Sequence, residues 1–345
     1  MKNILPYINK VICGDVITIL KSFPDDSIDC VITSPPYWQL RDYGWKGQWG
    51  LEKTYKEYLS HLFLFMDEVS RILKPSGTVW INLGDTYFGS GNGSGNSVSK
   101  PSLNNRKGTA KDFIPLIANN NKENKLFKKS LSLVPHRFAV GCAERGWIIR
   151  NDIIWAKPNA LPESVTDRFS KKYEHFFFLV KNTNYYFNLD AVRDEYKDSS
   201  FARVKYNMQS YGGNRSHNKI HEKESAVKKI KLNPLGKNPG DVTDFWSISN
   251  KQNRDEHFAT YNSELITKPI LAGCPVGGIV LDPFCGTGTT CVRAIELGRN
   301  FIGIDGKKDY CRIAEKNIYD ALKTSKTDVA SLVKKLRQLN FSKNK

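Results

Sequence analysis

The stretch that most limits what this chain can fold into runs from 278 to 305. Gly278-Ile279-Val280-Leu281-Asp282 has the length and β-branching of a short buried strand. Pro283-Phe284-Cys285-Gly286-Thr287-Gly288-Thr289-Thr290 follows as a turn, 291–297 as a helix closed by Gly298, and Phe301-Ile302-Gly303-Ile304-Asp305 as a second strand. Strand, glycine turn, helix and strand make a βαβ unit, and that unit needs a parallel sheet with helices packed on it. Gly286 and Gly288 permit a tight turn and close approach of backbone N–H groups to a ligand. Asp305 ends its strand 23 residues after Asp282, near the spacing of about 20 at which such folds place a carboxylate for a ribose diol.

The turn departs from the dinucleotide fingerprint. Cys291 stands where that fingerprint has its third glycine, and Asp282 stands directly before the turn. A carboxylate there would repel a pyrophosphate but could pair with a cationic, amino-acid-like ligand. The pattern favours S-adenosylmethionine over a nicotinamide dinucleotide, and an oxidoreductase is the disfavoured alternative.

A second motif lies far upstream. Asp29-Cys30-Val31-Ile32 reads as a buried strand, and Thr33-Ser34-Pro35-Pro36-Tyr37 ends it. Each proline fixes its own φ, lacks an N–H and pushes the preceding residue to extended geometry. Carbonyls and the Ser34 hydroxyl then point past the strand's carboxyl end, with the flat Tyr37 ring beside them. Acceptors that grip an amine next to an aromatic face would hold a planar, amine-bearing ring; a strand ending in a proline turn with a packed tyrosine is the plainer alternative.

The 345 residues allow one large or two small domains, and a net charge of +17 suggests a polyanionic partner, nucleic acid first. Seven cysteines at 13, 30, 142, 274, 285, 291 and 311 show no paired spacing, which points to reduced thiols rather than a disulfide framework or a zinc site. No apolar run reaches membrane-spanning length and the first residues are not those of a signal peptide, so the expected location is the cytoplasm, with no membrane partner. His136, His217 and His257 lack metal-ligand spacing, and no metal is expected.

The remaining elements follow in order. Strands are expected over 11–15, 78–83, 147–155 and 174–181, and helices over 16–21, 55–73, 133–145, 263–273 and 308–322. Lys74-Pro75-Ser76-Gly77 stops the long second helix. Residues 38–50, aromatic and glycine-rich, form a loop over the end of the Ser-Pro-Pro-Tyr strand. There Trp38 and Trp45 could border a bound base or simply pack the loop. Residues 86–129, rich in Gly, Ser, Asn and Lys, read as a flexible insertion, and 323–345 as a basic tail. Between 191 and 237 Lys and Arg outnumber Asp and Glu eleven to five, the pattern of a basic module, with Lys228, Lys229 and Lys231 as phosphate contacts or solvated charges.

With both motifs in view, the chain resembles the site-specific DNA amino-methyltransferases. Residues 282–290 look like their cofactor loop and 33–37 like their catalytic motif. The catalytic motif comes first, with a basic region between the two, the motif order of the permuted β group. Lys74-Pro75-Ser76-Gly77, Arg145-Gly146-Trp147 and Lys157-Pro158-Asn159 resemble further blocks of the family. The resemblance implies an α/β, Rossmann-like S-adenosylmethionine-dependent methyltransferase fold. Its sheet would be seven-stranded and mostly parallel, in circularly permuted order, with a small basic target-recognition region. It divides the chain into a catalytic part at 1–182, a recognition region at 183–250, a cofactor part at 251–322 and the tail.

It also implies site residues: Ser34, Pro35, Pro36 and Tyr37 for catalysis, and Asp15, Asp282, Pro283, Phe284, Gly286, Thr287, Gly288, Thr289 and Asp305 for S-adenosylmethionine. Asp15, ending the strand beside that of Asp305, would contact the adenine. Duplex DNA is the implied partner; a cognate restriction endonuclease, and either a monomer or a homodimer, are compatible with it. Serine before Pro-Pro-Tyr leans toward N4 of cytosine, with N6 of adenine as the alternative and a non-catalytic nucleic-acid binder further off.

Overall fold

The computed structural model describes residues 2–88, 127–160, 163–200, 232–242, 246–249 and 262–324. The chain divides into a unit of Met1–Phe187 with Asp241–Lys345 and a small unit of Asn188–Gly240. In the large unit the elements are β1 (Lys10–Cys13), α1 (Val16–Ser22), β2 (Ile28–Thr33), α2 (Tyr55–Ile72), β3 (Leu73–Leu83), α3 (Val134–Glu144), β4 (Ile148–Ala156), β5 (Tyr173–Val180), α4 (Ser263–Gly273), β6 (Ile279–Asp282), α5 (Thr289–Glu296), β7 (Asn300–Asp305) and α6 (Lys308–Thr324). One seven-stranded sheet has the order β1-β7-β6-β2-β3-β5-β4. β1, β7, β6, β2 and β3 run parallel; β5 pairs antiparallel with both β3 and β4 and is the one reversed strand of the sheet, so the expected mostly parallel, permuted α/β sheet is the observed one.

Side-chain alternation along the strands divides the core into two faces. Val31, Val79, Ile81, Leu281, Ile302 and Ile304 meet Leu20 of α1, Leu62, Phe65 and Val69 of α2 and Phe138 of α3. Cys30, Ile32, Trp80, Val280 and Phe301 meet Leu265 and Ile270 of α4, Cys291 of α5 and Ile318 of α6. β2 and β6 are buried along their whole lengths, which is why they are continuous apolar runs in sequence. Three of the helices start on side-chain caps: in α1 Asp15 accepts from Thr18 N, in α2 Thr54 from Glu57 N and in α4 Asn262 from Glu264 N.

Two expectations need correction. Lys74-Pro75-Ser76-Gly77 lies inside β3 and is not a separate stop. Leu73 already pairs with Ile28, and the next pairing, Cys30 with Thr78, skips the segment as a bulge. Lys74 Nζ donates to Asp29 Oδ1 at 2.7 Å across this bulge, and a Cβ on Gly77 would lie 3.0 Å from the Asp29 carbonyl. The ends of the expected recognition region belong to the large unit: Trp246 and Ile248 are buried in the core beside Phe176, and Tyr185 packs against Phe178.

In the small unit Asp194 bridges Lys237 and Arg193 pairs with Asp190. Most of its basic stretch, with Lys228, Lys229, Lys231 and His217, lies outside the described residues, as do His257, 89–126 of the expected insertion and 325–345 of the expected tail. Among the described residues no helix is long and apolar enough to cross a membrane.

Gly288, at φ +84° before α5, lies against α6, and a Cβ there would come 2.9 Å from Ala314 Cβ. Gly288→Ala therefore combines a left-handed backbone penalty of about 1–2 kcal/mol with overpacking. It is expected to lower unfolding free energy by at least that much, read as a lower midpoint in urea denaturation.

Candidate active site

The two motifs of the sequence meet because their strands are neighbours. β2 pairs with β6 in parallel, Cys30 opposite Val280 and Val31 opposite Leu281. Just beyond, Thr33 Oγ1 donates to Asp282 Oδ1 at 2.6 Å. The same carboxylate accepts from Phe284 N at 3.1 Å and, through its other oxygen, from Thr290 Oγ1. Asp282 is only 2% exposed. β2 and β6 are also where the strand order turns, since β7 and β1 extend one way and β3, β5 and β4 the other. Open α/β sheets have their crevice at that point, beyond the carboxyl ends of the strands.

A cleft of about 800 Å³ opens there, lined by Asp15, Ser34, Pro36, Pro283, Phe284, Gly286, Thr287 and Asp305 among the expected residues. Five expected residues do not line it. Asp282 is turned inward to the threonines, so its carboxylate anchors the turn and is not the expected partner of a cationic ligand. Gly288 serves the packing of α5 on α6, and Thr289 is the first residue of α5. Pro35 is buried, and Tyr37 points toward β3 and β5.

Two carboxylates face the cleft. Asp15 Oδ1 caps α1 through Thr18 N and Oγ1. Asp305 takes Gly286 N on one oxygen at 3.0 Å and Lys307 N on the other at 2.8 Å. Each carboxylate oxygen has two lone pairs, so both keep capacity for further donors. Burial raises the Asp305 pKa to about 6 against those two N–H groups.

Aromatic rings form much of the remaining wall: Tyr43, Trp45 and Trp49 from the loop after β2 and Tyr310 from α6. Lys307 Nζ donates to the Tyr43 carbonyl at 3.0 Å, Tyr43 meets Tyr310 edge-on, and Trp45 packs directly on Gly306. Trp49 lies 5.1 Å from Phe284 between centroids. Of the two tryptophans expected to border a base or pack the loop, Trp45 lines the cleft, whereas Trp38 is buried, edge-on to Tyr55 and Phe88. The signal for Tyr43 and Trp49 was only the aromatic density of 38–50.

On the other side of Ser34 lies a compact polar cluster. Tyr37 Oη is 2.7 Å from Glu174 Oε2 and 2.8 Å from Asn82 Oδ1. Ser34 Oγ is 3.3 Å from Tyr37 Oη and 3.4 Å from Asn82 Oδ1. Asn82 is oriented by donating Nδ2 to the His175 carbonyl at 3.0 Å, and Lys157 pairs with Glu174 Oε1. These four contacts share two hydroxyl hydrogens, so the Ser34 hydrogen is drawn inward and its lone pairs are left to accept. Burial and the Glu174 charge push the Tyr37 phenol well above its usual pKa, keeping it a donor. Asn82 and Glu174 were not singled out in the sequence, and Lys157 only within the Lys157-Pro158-Asn159 block with no role given; they sit on β3, β5 and just past β4, which a linear pattern does not align.

The model of the DNA methylase family matches residues 28–316 of the chain. The chain belongs to the N4/N6 class of DNA methylases. It is 35% identical to the Citrobacter freundii type II methyltransferase M.Cfr9I over 87% of its own length and 84% of that protein's. It is 33% identical to M.SmaI of Serratia marcescens over 90% of each. Among solved structures, the cytosine-N4-specific PvuII DNA methyltransferase superposes with a TM-score of 0.55 at 18% identity, covering 90% of each chain. A Thermus thermophilus protein complexed with S-adenosyl-L-methionine gives 0.53 at 20% identity over 92% of this chain and 97% of that one. The fold is that of the S-adenosylmethionine-dependent methyltransferases.

Cys30, Cys285 and Cys291 of this methylase are buried, while Cys13, beside the cleft-lining Gly14, is exposed. Burial pushes the Cys30 thiol up to about 12, and a hydrogen bond with Cys291, together with burial, holds Cys285 well above its usual value. Both thiols are therefore protonated at neutral pH. Among the described residues no group of His, Cys, Asp and Glu side chains could hold a metal ion.

Replacing Asp282 by Ala would remove the acceptor that Thr33, Thr290 and the Phe284 N–H share in a buried site. At about 1–3 kcal/mol for a buried group left unpaired, Asp282→Ala is expected to cost the methylase about 3 kcal/mol of unfolding free energy. Asp282→Asn should cost less. Urea denaturation followed by circular dichroism measures both.

Proposed function

We propose that this chain transfers a methyl group from S-adenosylmethionine to the exocyclic N4 of cytosine at a specific site in duplex DNA, as the modification enzyme of a restriction-modification system. The observation that carries the reading is that Ser34, at the end of β2, and the Gly286 turn, at the end of β6, line one cleft. The similarity to type II methyltransferases over nearly the whole chain supports the restriction-modification setting. Serine at position 34 supports cytosine, by its resemblance to the serine of cytosine-specific relatives. Asn188–Gly240 is the core of the target-recognition region in this reading.

The cleft suits the cofactor. Asp305 has free acceptor capacity for the two ribose hydroxyls, Asp15 stands at the adjoining strand end to accept from the adenine amine, and Tyr43, Trp45, Phe284 and Tyr310 offer flat faces for the purine. When bound, S-adenosylmethionine supplies an electrophilic methyl on a sulfonium. The chain's own residues do the rest by position and electrostatics. Flipping the target base costs a few kcal/mol, and stacking on the Tyr37 ring offsets about 1–3 kcal/mol of it. Ser34 Oγ, its hydrogen drawn toward Tyr37 and Asn82, and the Pro35 carbonyl accept from the amine hydrogens. They orient the nitrogen lone pair toward the methyl and stabilise the positive charge that grows on the amine.

Ser34→Ala and Tyr37→Ala are each expected to lower the single-turnover rate about 10²-fold with cofactor affinity unchanged, measured by transfer of labelled methyl to duplex DNA and by calorimetry. Nucleoside mass spectrometry of DNA from cells expressing the chain should show 4-methylcytosine; 6-methyladenine moves the assignment to the other amine. Unmodified DNA from cells whose purified protein binds the cofactor overturns the reading.

Asp305 adds a pH dependence. Its folded pKa of about 6 is above the ordinary 3.8, so its ionisation costs the folded protein stability; that cost is absent below about pH 4 and complete above about pH 6. Only the ionised form accepts from both hydroxyls. Cofactor affinity is expected to rise from pH 5 to about pH 7 and then level, and Asp305→Asn should bind more weakly with a flat profile in calorimetry.

A further inference from the structure

Phe169 is 96% exposed, more than any other large apolar side chain among the described residues. A single exposed apolar side chain is ordinary; the placement of this one is not. The segment 163–172 leads directly into β5, whose second residue, Glu174, holds the Tyr37 hydroxyl. Lys171 Nζ donates to the Asp85 carbonyl just past the carboxyl end of β3, and the Arg168 guanidinium stacks 3.9 Å over the Tyr87 ring. Phe169 therefore stands on the rim of the face that carries Ser34 and Tyr37.

Its backbone is pinned on both sides. Arg168 bonds Glu163 and also the Phe169 carbonyl, the latter at 3.0 Å, and Lys157 N donates to the Lys172 carbonyl at 2.8 Å. The ring thus extends into solvent from an ordered stem. The carboxylates of the segment are paired, Glu163 with Arg168 and Asp167 with Lys129, while Lys172 is exposed. With a chain net charge of +17, this rim suits a polyanion with stacked bases.

We propose that Phe169 is a wedge that enters the duplex where the target base leaves it. The inference rests on the proposed base-flipping methylation. Extruding a base unstacks its neighbours and leaves a gap, and apolar side chains inserted between base steps are a recurrent way to fill one. A phenyl ring stacks on any base, so it serves flipping without reading sequence, which falls to the recognition region. The ring supports the flipped state from the duplex side while Tyr37 supports it from the enzyme side.

The test uses the full chain with labelled S-adenosylmethionine and oligonucleotide duplexes carrying the site mapped by modified-base sequencing. One duplex is fully paired; in the other the target base faces an abasic position, where flipping costs least. Phe169→Ala is expected to lower single-turnover methylation of the paired duplex about tenfold, the rate equivalent of the lower end of base–aromatic stacking. On the abasic duplex it should match the parent, and Phe169→Trp should retain the parental rate on both. Cofactor affinity, thermal midpoint and oligomeric state by light scattering should not change. A parental rate for Phe169→Ala on the paired duplex, an equal defect on both duplexes, or a change in oligomeric state overturns the wedge. Ser34→Ala is the control: it should fail on both duplexes, and a Ser34→Ala protein active on both sinks the methylation reading itself.

Discussion

The hydrogen bond from Thr33 to Asp282 is the constraint on which the rest of the site depends. It joins the ends of two adjacent strands in a place closed to water, where buried polar groups need partners. Thr290 adds the first turn of α5 to the same carboxylate. The strand, the glycine turn and the helix are thereby held as one piece against the end of β2. Close packing beneath reinforces the joint: a Cβ on Gly303 would lie 2.8 Å from Cys291 Sγ, so the bare backbone there lets α5 lie down on the sheet.

On the far side of Ser34 the same economy of hydrogens recurs with a different purpose. Asn82 and Glu174 surround two hydroxyls with acceptors, and Lys157 balances the charge. An asparagine carries no charge, so the acceptor that it offers to both hydroxyls is a neutral one. The cleft is thus walled by carboxylate and aromatic groups on the Asp305 side and by neutral oxygen acceptors at Ser34. The first wall fits a ligand with hydroxyl donors and a flat ring, the second fits an amine.

Much of this was legible in the chain. The buried parallel strands announced themselves as apolar runs, the helices by their period, and the two motifs by residue types that only a ligand-binding strand end requires. Strands β4 and β5 were located, although the antiparallel pairing of β5 with β3 and β4 was not readable from their composition. What escaped was whatever depends on the third dimension. Asp282 looked like a ligand contact because its position beside the turn is visible in sequence, while the threonines that claim it come from two other segments. Gly288 looked like part of a ligand loop, but its lack of a side chain answers to Ala314 of α6. Asn82 and Glu174 carry no local pattern, and their roles follow from the strand order; Tyr43 and Trp49 show only as part of an aromatic loop. Lys74-Pro75-Ser76-Gly77 has the composition of a turn and is accommodated in β3 as a bulge.

The permuted strand order has a consequence for how the molecule comes into being. β2 lies in the middle of the sheet, yet one of its two neighbours, β6, is made some 250 residues later. A ribosome that has released the chain as far as Val180 has produced β2, β3, β4 and β5 with the flank of β2 bare, and β1 with no neighbour, since its one partner is β7. Such a flank is an invitation to pair with a stranger, and closing so long a loop is slow. The nascent protein therefore waits, open along its central seam, for its last third to arrive, and the cleft between the ends of β2 and β6 cannot close before then.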